Sequence, residues 1–302
     1  MAPAGLVVSP PAGAPAAAGT SGARPEAVWR LAIEHTTTYR YSTHVRASYN
    51  EVRAMPQSNR RQTALETRVT TTPPAPLYRY RDYWGTQVLS FDVAGAHDLL
   101  RVRASALVET RAAAEPPRAG WEELSAARDR FVELCSPSAH TGWDAELALL
   151  AAGMVRDDPA DTVGAVAAWV HDAVEYAPGS TGVQTTAMEV WRTTRGVCQD
   201  FTHLSLAMLR SLGIPARYVS GYLHPYEDAV VGEETFGESH AWVEAWTGDW
   251  WGIDPTNAVD AGLRHIVVAH GRDYADVPPV KGVYAGTAED DLSVEVRVTR
   301  VA

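Results

Sequence analysis

Three residues combine side-chain chemistry and surroundings suited to nucleophilic catalysis: Cys198, His240 and Asp254. Cys198 stands in GVCQDFTHL, just after Gly196, where a helix-spaced run begins: Phe201, Leu204, Ser205, Met208, Leu209 and Leu212. The free N–H groups and macrodipole of a helix's first turn favour an anion. The thiolate is the nucleophilic form of cysteine, so this is a suitable place for a reactive thiol. Gly196 is expected to let the chain turn sharply into the helix and leave the sulfur accessible. An arbitrary cysteine is more often a small buried hydrophobe, and its place after Gly-Val at a helix start sets Cys198 apart.

His240 and Asp254 belong to a predicted hairpin, SHAWVEAW–TGD–WWGIDPT. With the turn near Thr247–Asp249, facing residues carry numbers that sum to about 494–497. His240 and Asp254 then fall opposite each other or nearly so. An Asp beside a His orients the imidazole and stabilises its protonated form. Singly, His240 could be an ordinary packed histidine, and Asp-Pro-Thr-Asn an ordinary turn string. Together with a cysteine on a helix start they make a nucleophile, a base and an orienting group.

Several elements must hold these residues. Residues 1–26 are rich in Ala, Pro and Gly without periodicity and read as a disordered tail. VWRLAIEHTTTYRYS, LETRVTTT, TQVLSFDV and LLRVRASALVET read as strands, giving a β-rich, sandwich-like domain over 27–115. EPPRAG marks the next change of texture. WEELSAARDRFVEL, AELALLAAGM and DTVGAVAAWVHDAVEY read as helices, the last with an apolar stripe and Asp161 as its N-cap. After the Cys198 helix, closed by Gly213 and Pro215, the period returns to two in ARYVSGYLH, the hairpin and DLSVEVRVTRV. The fold class is therefore α+β, with a second domain over 116–302 centred on 160–260.

GVCQDFTHLSLAMLRSLGIPARYVSGY, followed by ESHAWVEAW and WWGIDPTN, resembles the transglutaminase-like superfamily, in its bacterial branch with an N-terminal β domain and a papain-like catalytic core. The blocks stand in the family's order, Cys then His then Asp, and the match is strong from about Tyr176 to Asn257. The strand-rich region and HGRDYADVPPVKGVYAG are similar less sharply. The resemblance implies a papain-type mechanism with Cys198, His240 and Asp254 in the catalytic roles. The oxyanion would take the Cys198 backbone N–H, with Gln199 or Tyr176 as second donor.

The activity so implied is thiol-dependent acyl transfer on a peptide or glutamine amide, with hydrolysis favoured. The alternatives are transfer of a glutamine acyl group to an amine, or a binding module on the same fold; the intact triad speaks against the last. The expected partner is a peptide or protein substrate. A formal net charge of −11 argues against general nucleic-acid binding. No apolar run approaches the ~20 residues of a membrane helix, so no membrane partner is expected. Two cysteines give neither a disulfide scaffold nor a Cys-rich zinc site, and no HExxH occurs, so no metal or cofactor is expected. The N-terminus lacks the features of a signal peptide, which together with the cysteine count points to a cytoplasmic location. Asp200 and His203 read as structural. Trp242, Trp246, Trp250 and Trp251 read as core or cleft wall, and 227–238 as a polar loop beside the site.

Overall fold

The computed structural model describes residues 27–113 and 115–302, so the predicted tail over 1–26 lies outside the described residues. The first strands are β1 (Val28–Val52), β2 (Gln62–Thr72), β3 (Tyr78–Arg81) and β4 (Gln87–Arg111). Alternation of apolar and polar side chains along β1 buries Leu31, Ile33, His35 and Thr37 on one face. TQVLSFDV and LLRVRASALVET, read above as two strands, are the two arms of β4. The β1–β4 ladder breaks register between Arg40 and Ala47, which bends both strands. Leu89, Phe91 and Val93 from one arm of β4, and Leu100, Val102 and Ala104 from the other, enter one buried cluster with Val45, Val52 and Met55. The strand-rich region thus folds its sheet over its own core.

Among the described residues five α-helices follow: α1 (Trp121–Ala127), which runs into a 3-10 turn over Arg128–Leu134, α2 (Ala145–Ala152), α3 (Pro159–Ala173), α4 (Ala187–Thr193) and α5 (Cys198–Ser211). Asp144 caps α2 by accepting from Leu147 N at 2.9 Å. The cap of α3 is Asp158, accepting from Ala160 N at 2.7 Å, and not Asp161. Pro159 takes the first helical position, where its missing N–H costs nothing, so the cap is the residue before it. Asp161 instead accepts from Arg118 at 2.9 Å. Helix α4, not foreseen in the sequence, is opened by a capping box of Thr186 and Glu189.

The remaining strands are β5 (Glu175–Tyr176), β6 (Arg195–Gly196), β7 (Ala216–Leu223), β8 (Glu234–Trp246), β9 (Trp250–Asp254), β10 (Val259–Asp260), β11 (His265–Gly271), β12 (Val280–Tyr284) and β13 (Asp290–Arg300). The sheet runs β10-β9-β8-β13-β1-β4-β2, with β7 between β8 and β11, β12 beside β1 and β3 beside β4. The C-terminal strand β13 therefore lies between the β8 hairpin and β1. The stretch 227–238, read as a loop, ends in strand from Glu234, where Thr235, Phe236 and Gly237 pair with β13. The protein is α+β, and α5 is its central helix. Phe201, Leu204, Ala207 and Met208 of α5 share one core with Val163, Val166 and Val170 of α3 and with Ala241, Val243 and Ala245 of β8. Each such fully buried Val, Leu or Phe stabilises by about 1.5–3 kcal/mol, which fixes α5 rigidly against the hairpin.

Candidate active site

Cys198 is the first residue of α5 and is partly exposed. Its placement depends on Asp200, whose carboxylate accepts from Val197 N at 2.7 Å and from the Thr181 hydroxyl at 2.6 Å. Val197 has no polar side chain to complete a capping box, so Asp200 alone closes the turn ahead of Cys198. Gly196 serves a different purpose from the one expected. Its φ lies outside the left-handed region, but a Cβ there would come within 2.5 Å of Asp200 Cβ. Glycine is required so that the capping carboxylate can fold back over the turn.

Across the hairpin, Val243 faces Ile253 and Trp246 faces Trp250, a register inside the expected range. The next position sets Asp254 opposite Trp242, and His240 is the diagonal neighbour on the same face. His240 Nε2 donates to Asp254 Oδ2 at 2.7 Å, and both residues are buried. Nδ1, the other ring nitrogen, has no ordinary hydrogen-bond partner among the described residues. Cys198 interacts with this imidazole and lines the same cleft. Burial alone would push the His240 pKa down; the hydrogen bond with Asp254, and then Cys198, outweigh it and lift the ring to about 10. Burial would raise the Asp254 carboxyl, but its bonds to His240 and His265 hold it well below the usual carboxylate range.

Asp254 works with both oxygens. Oδ1 accepts from Thr256 N at 2.9 Å and Asn257 N at 3.2 Å, which is the turn chemistry anticipated for Asp-Pro-Thr-Asn. Oδ2 accepts from His240, from Asn257 Nδ2 at 2.7 Å and from His265 Nε2 at 3.1 Å. Gly262 N donates to His265 Nδ1 at 3.2 Å, so the proton of a neutral His265 sits on Nε2, facing Asp254. Trp242 is fully buried behind these rings, stacked on His240 at 6.1 Å and edge-on to His265 at 5.1 Å. His265 and Asn257 went unnoticed in the sequence; Asn257 at least stood in the quoted turn string.

His240, Asp254 and His265 are also the described residues grouped closely enough to hold a metal ion. Their contacts of 2.7 and 3.1 Å are hydrogen-bond lengths with a defined donor on each side. Ligands arranged tetrahedrally at the 2.0–2.1 Å of zinc–nitrogen bonds would stand roughly 3.4 Å apart.

The cleft over Cys198 has a volume of about 320 Å³. Gln199 lines it, but its side-chain Nε2 donates away to Gly182 O at 3.2 Å. Tyr176 is half-exposed, packs against Phe201 at 6.4 Å and is not among the lining residues. Tyr218, from β7, does line the cleft. Its phenol is pushed well above its ordinary pKa by burial and then by Cys198, so it stays a neutral donor close to the sulfur. None of the four hairpin tryptophans lines this cleft. Trp242 and Trp250 instead border a separate cavity of about 650 Å³, and Trp246 and Trp250 pack on Phe131. His203 is buried against His140 and accepts from Tyr274 N at 3.2 Å, a packing role that holds the Tyr274 segment beside the cleft. Among the described residues no helix is long and apolar enough to cross a membrane.

Comparison with known proteins agrees with this architecture. Residues 31–109 match the bacterial transglutaminase-like N-terminal region, and residues 150–255 match the transglutaminase-like superfamily core. An uncharacterized protein of Mycobacterium leprae is 47% identical over 280 residues, covering 91% of this chain and 100% of its own. A protein-glutamine gamma-glutamyltransferase of Pseudomonas aeruginosa is 29% identical over 121 residues, 36% of this chain and 18% of that protein. Among solved structures, a proposed cysteine protease from Cytophaga hutchinsonii shares the fold with a TM-score of 0.74 at 23% identity, covering 91% of this chain and 92% of its own. The chain belongs to the transglutaminase-like superfamily.

Proposed function

We propose that the protein is a thiol-dependent acyl-transfer enzyme acting on peptide or glutamine amides. Cys198 is the nucleophile, His240 the proton carrier and Asp254 the group that orients it. The observation that carries this reading is the 2.7 Å bond from His240 Nε2 to Asp254, which leaves Nδ1 for the thiol. The thiolate attacks the amide carbonyl, a C–S bond forms and the carbonyl electron pair moves onto oxygen. The backbone N–H of Cys198, unclaimed within the helix, is the first oxyanion donor. Gln199 and Tyr176 are the donors suggested by sequence; we assign the second place to the Tyr218 hydroxyl, because it lines the cleft beside Cys198. The His240 imidazolium protonates the leaving nitrogen, the C–N bond breaks and ammonia or an amine departs. His240 then takes a proton from water, which attacks the thioester, returns the thiolate and releases a carboxylic acid.

Hydrolysis is the favoured outcome, as a peptidase or amidase. Transfer to an amine is the second reading, favoured by the likeness to the Pseudomonas aeruginosa protein-glutamine gamma-glutamyltransferase. We place the enzyme in the cytoplasm, consistent with free thiols at both Cys135 and Cys198.

Two measurements test this. Iodoacetamide should alkylate Cys198 faster than a free thiol near neutral pH; equal rates would remove the activated nucleophile. A glutamine-containing peptide offered with and without a labelled amine separates the outcomes. Deamidation or cleavage without label means hydrolysis, and label incorporation lost in Cys198→Ala means transfer.

A further inference from the structure

The cleft over Cys198 is closed on one side by strands from the two ends of the described chain. Thr37 and Tyr39 of β1, and Leu292 and Val294 of β13, all line it. In the β1–β13 ladder Thr37 faces Val294 and Tyr39 faces Leu292. Two facing pairs, two residues apart, put all four side chains on one side of the sheet as a continuous ledge. Leu292 and Val294 remain 52% and 53% exposed on that ledge, open to contact with a molecule bound in the cleft.

The cleft's charge is as distinctive as its shape. Charged residues make up 21% of the chain, so sixteen lining positions drawn at random would include about three. The lining contains no Asp, Glu, Lys or Arg. His35 does not supply a charge either. Its Nδ1 bonds the Tyr222 hydroxyl at 2.9 Å, its Nε2 bonds the Thr37 hydroxyl at 2.9 Å, and burial pushes it down to about 4. Beside Cys198 the lining then carries the His240 imidazolium, held by Asp254 behind it, the Gln199 amide and several hydroxyls. Those of Ser220 and Ser239 make no side-chain hydrogen bond among the described residues and can meet a substrate backbone.

We propose that the β1–β13 ledge is the acyl-donor subsite, and that it selects amide substrates whose flanking residues are uncharged and apolar. A charged flank lying on the ledge would lose its water against Leu292, Val294 and Tyr39, none of which carries a counter-charge. The inference rests on the thiol acyl-transfer reading for its chemistry, but the ledge itself can be tested by binding.

Three otherwise identical glutamine peptides with leucine, aspartate or lysine flanks are titrated against Cys198→Ala by fluorescence anisotropy, and their kcat/KM is measured with the wild type. One methylene in a hydrophobic pocket discriminates by about 10–200-fold, so the leucine peptide should lead in both readouts by at least about tenfold. Val294→Asp changes an exposed position. It should remove most of that lead while the urea-denaturation midpoint stays close to that of the wild type. Equal affinities, no binding by any peptide, or preference for a charged flank overturns the ledge. A lead that persists in Val294→Asp also overturns it. Selective binding combined with alkylation no faster than a free thiol would instead overturn acyl transfer and leave the ledge standing.

Discussion

Replacing Asp254 with Asn keeps the size and one acceptor oxygen of the side chain but turns the other oxygen into an NH2 donor and removes the charge. His240 stands at about 10 although burial pulls it down from 6.5, a rise of about 3.5 units. At 1.36 kcal/mol per unit this is roughly 5 kcal/mol in favour of the imidazolium, supplied by Asp254 and Cys198 over and above the cost of burial. Without the carboxylate, burial is opposed by Cys198 alone. The upper limb of the kcat/KM–pH profile, set near 10 by loss of the imidazolium proton, should therefore move clearly downward in Asp254→Asn. The turnover rate should fall by roughly 10³–10⁴, as expected when a histidine loses its orienting carboxylate. Stability should follow the same pair. The raised His240 contributes in full below about 6.5, and its contribution is lost as pH rises through about 10. The depressed Asp254 contributes above about 3.8, and its contribution is lost as pH falls further. Urea denaturation across pH should show a plateau between these limits in the wild type and a flatter curve in Asp254→Asn. An upper limb still near 10 in the variant would refute the reasoning.

Other substitutions probe the surrounding contacts. Tyr218→Phe removes the proposed second oxyanion donor and should lower kcat about 100-fold, with KM and the alkylation rate of Cys198 preserved. His265→Phe keeps an aromatic ring but withdraws a hydrogen bond from a charged oxygen. It should cost about 1.5–3 kcal/mol in urea denaturation and lower kcat, with His265→Gln restoring part of both. Gly196→Ala sets a methyl group within 2.5 Å of Asp200 Cβ, so it should slow Cys198 alkylation and lower Tm, whereas Gly164→Ala, within α3 and with open space around it, should not alter the alkylation rate.

Local chemistry was the legible part of the sequence. Helix α5 was announced by its periodic apolar residues and by Gly213, which takes a positive φ of 74° after the helix. The hairpin was legible because a short turn fixes register, and register places His240 and Asp254 together. Long-range partners were not legible. Nothing in the alternation of DLSVEVRVTRV says that β13 pairs with β1 on one side and β8 on the other, so the cleft wall could not be named. His265 approaches Asp254 from β11, a strand reached only through β7, and no spacing in the sequence marks that approach. The two arms of β4 were read as separate strands because the small residues between them look like a turn, although the ladder bends and continues. Helix α4 spans only two turns, too few for its period to stand out beside its capping box.

The central claim is that acyl transfer passes through a thioester on Cys198. The direct test is mass spectrometry of the protein quenched in acid during reaction with a glutamine peptide. The account predicts an adduct on the Cys198 fragment equal to the peptide minus ammonia, removed by hydroxylamine and absent in Cys198→Ala. Ammonia release without any adduct under rapid quench, or an adduct on Cys135 in place of Cys198, would contradict it.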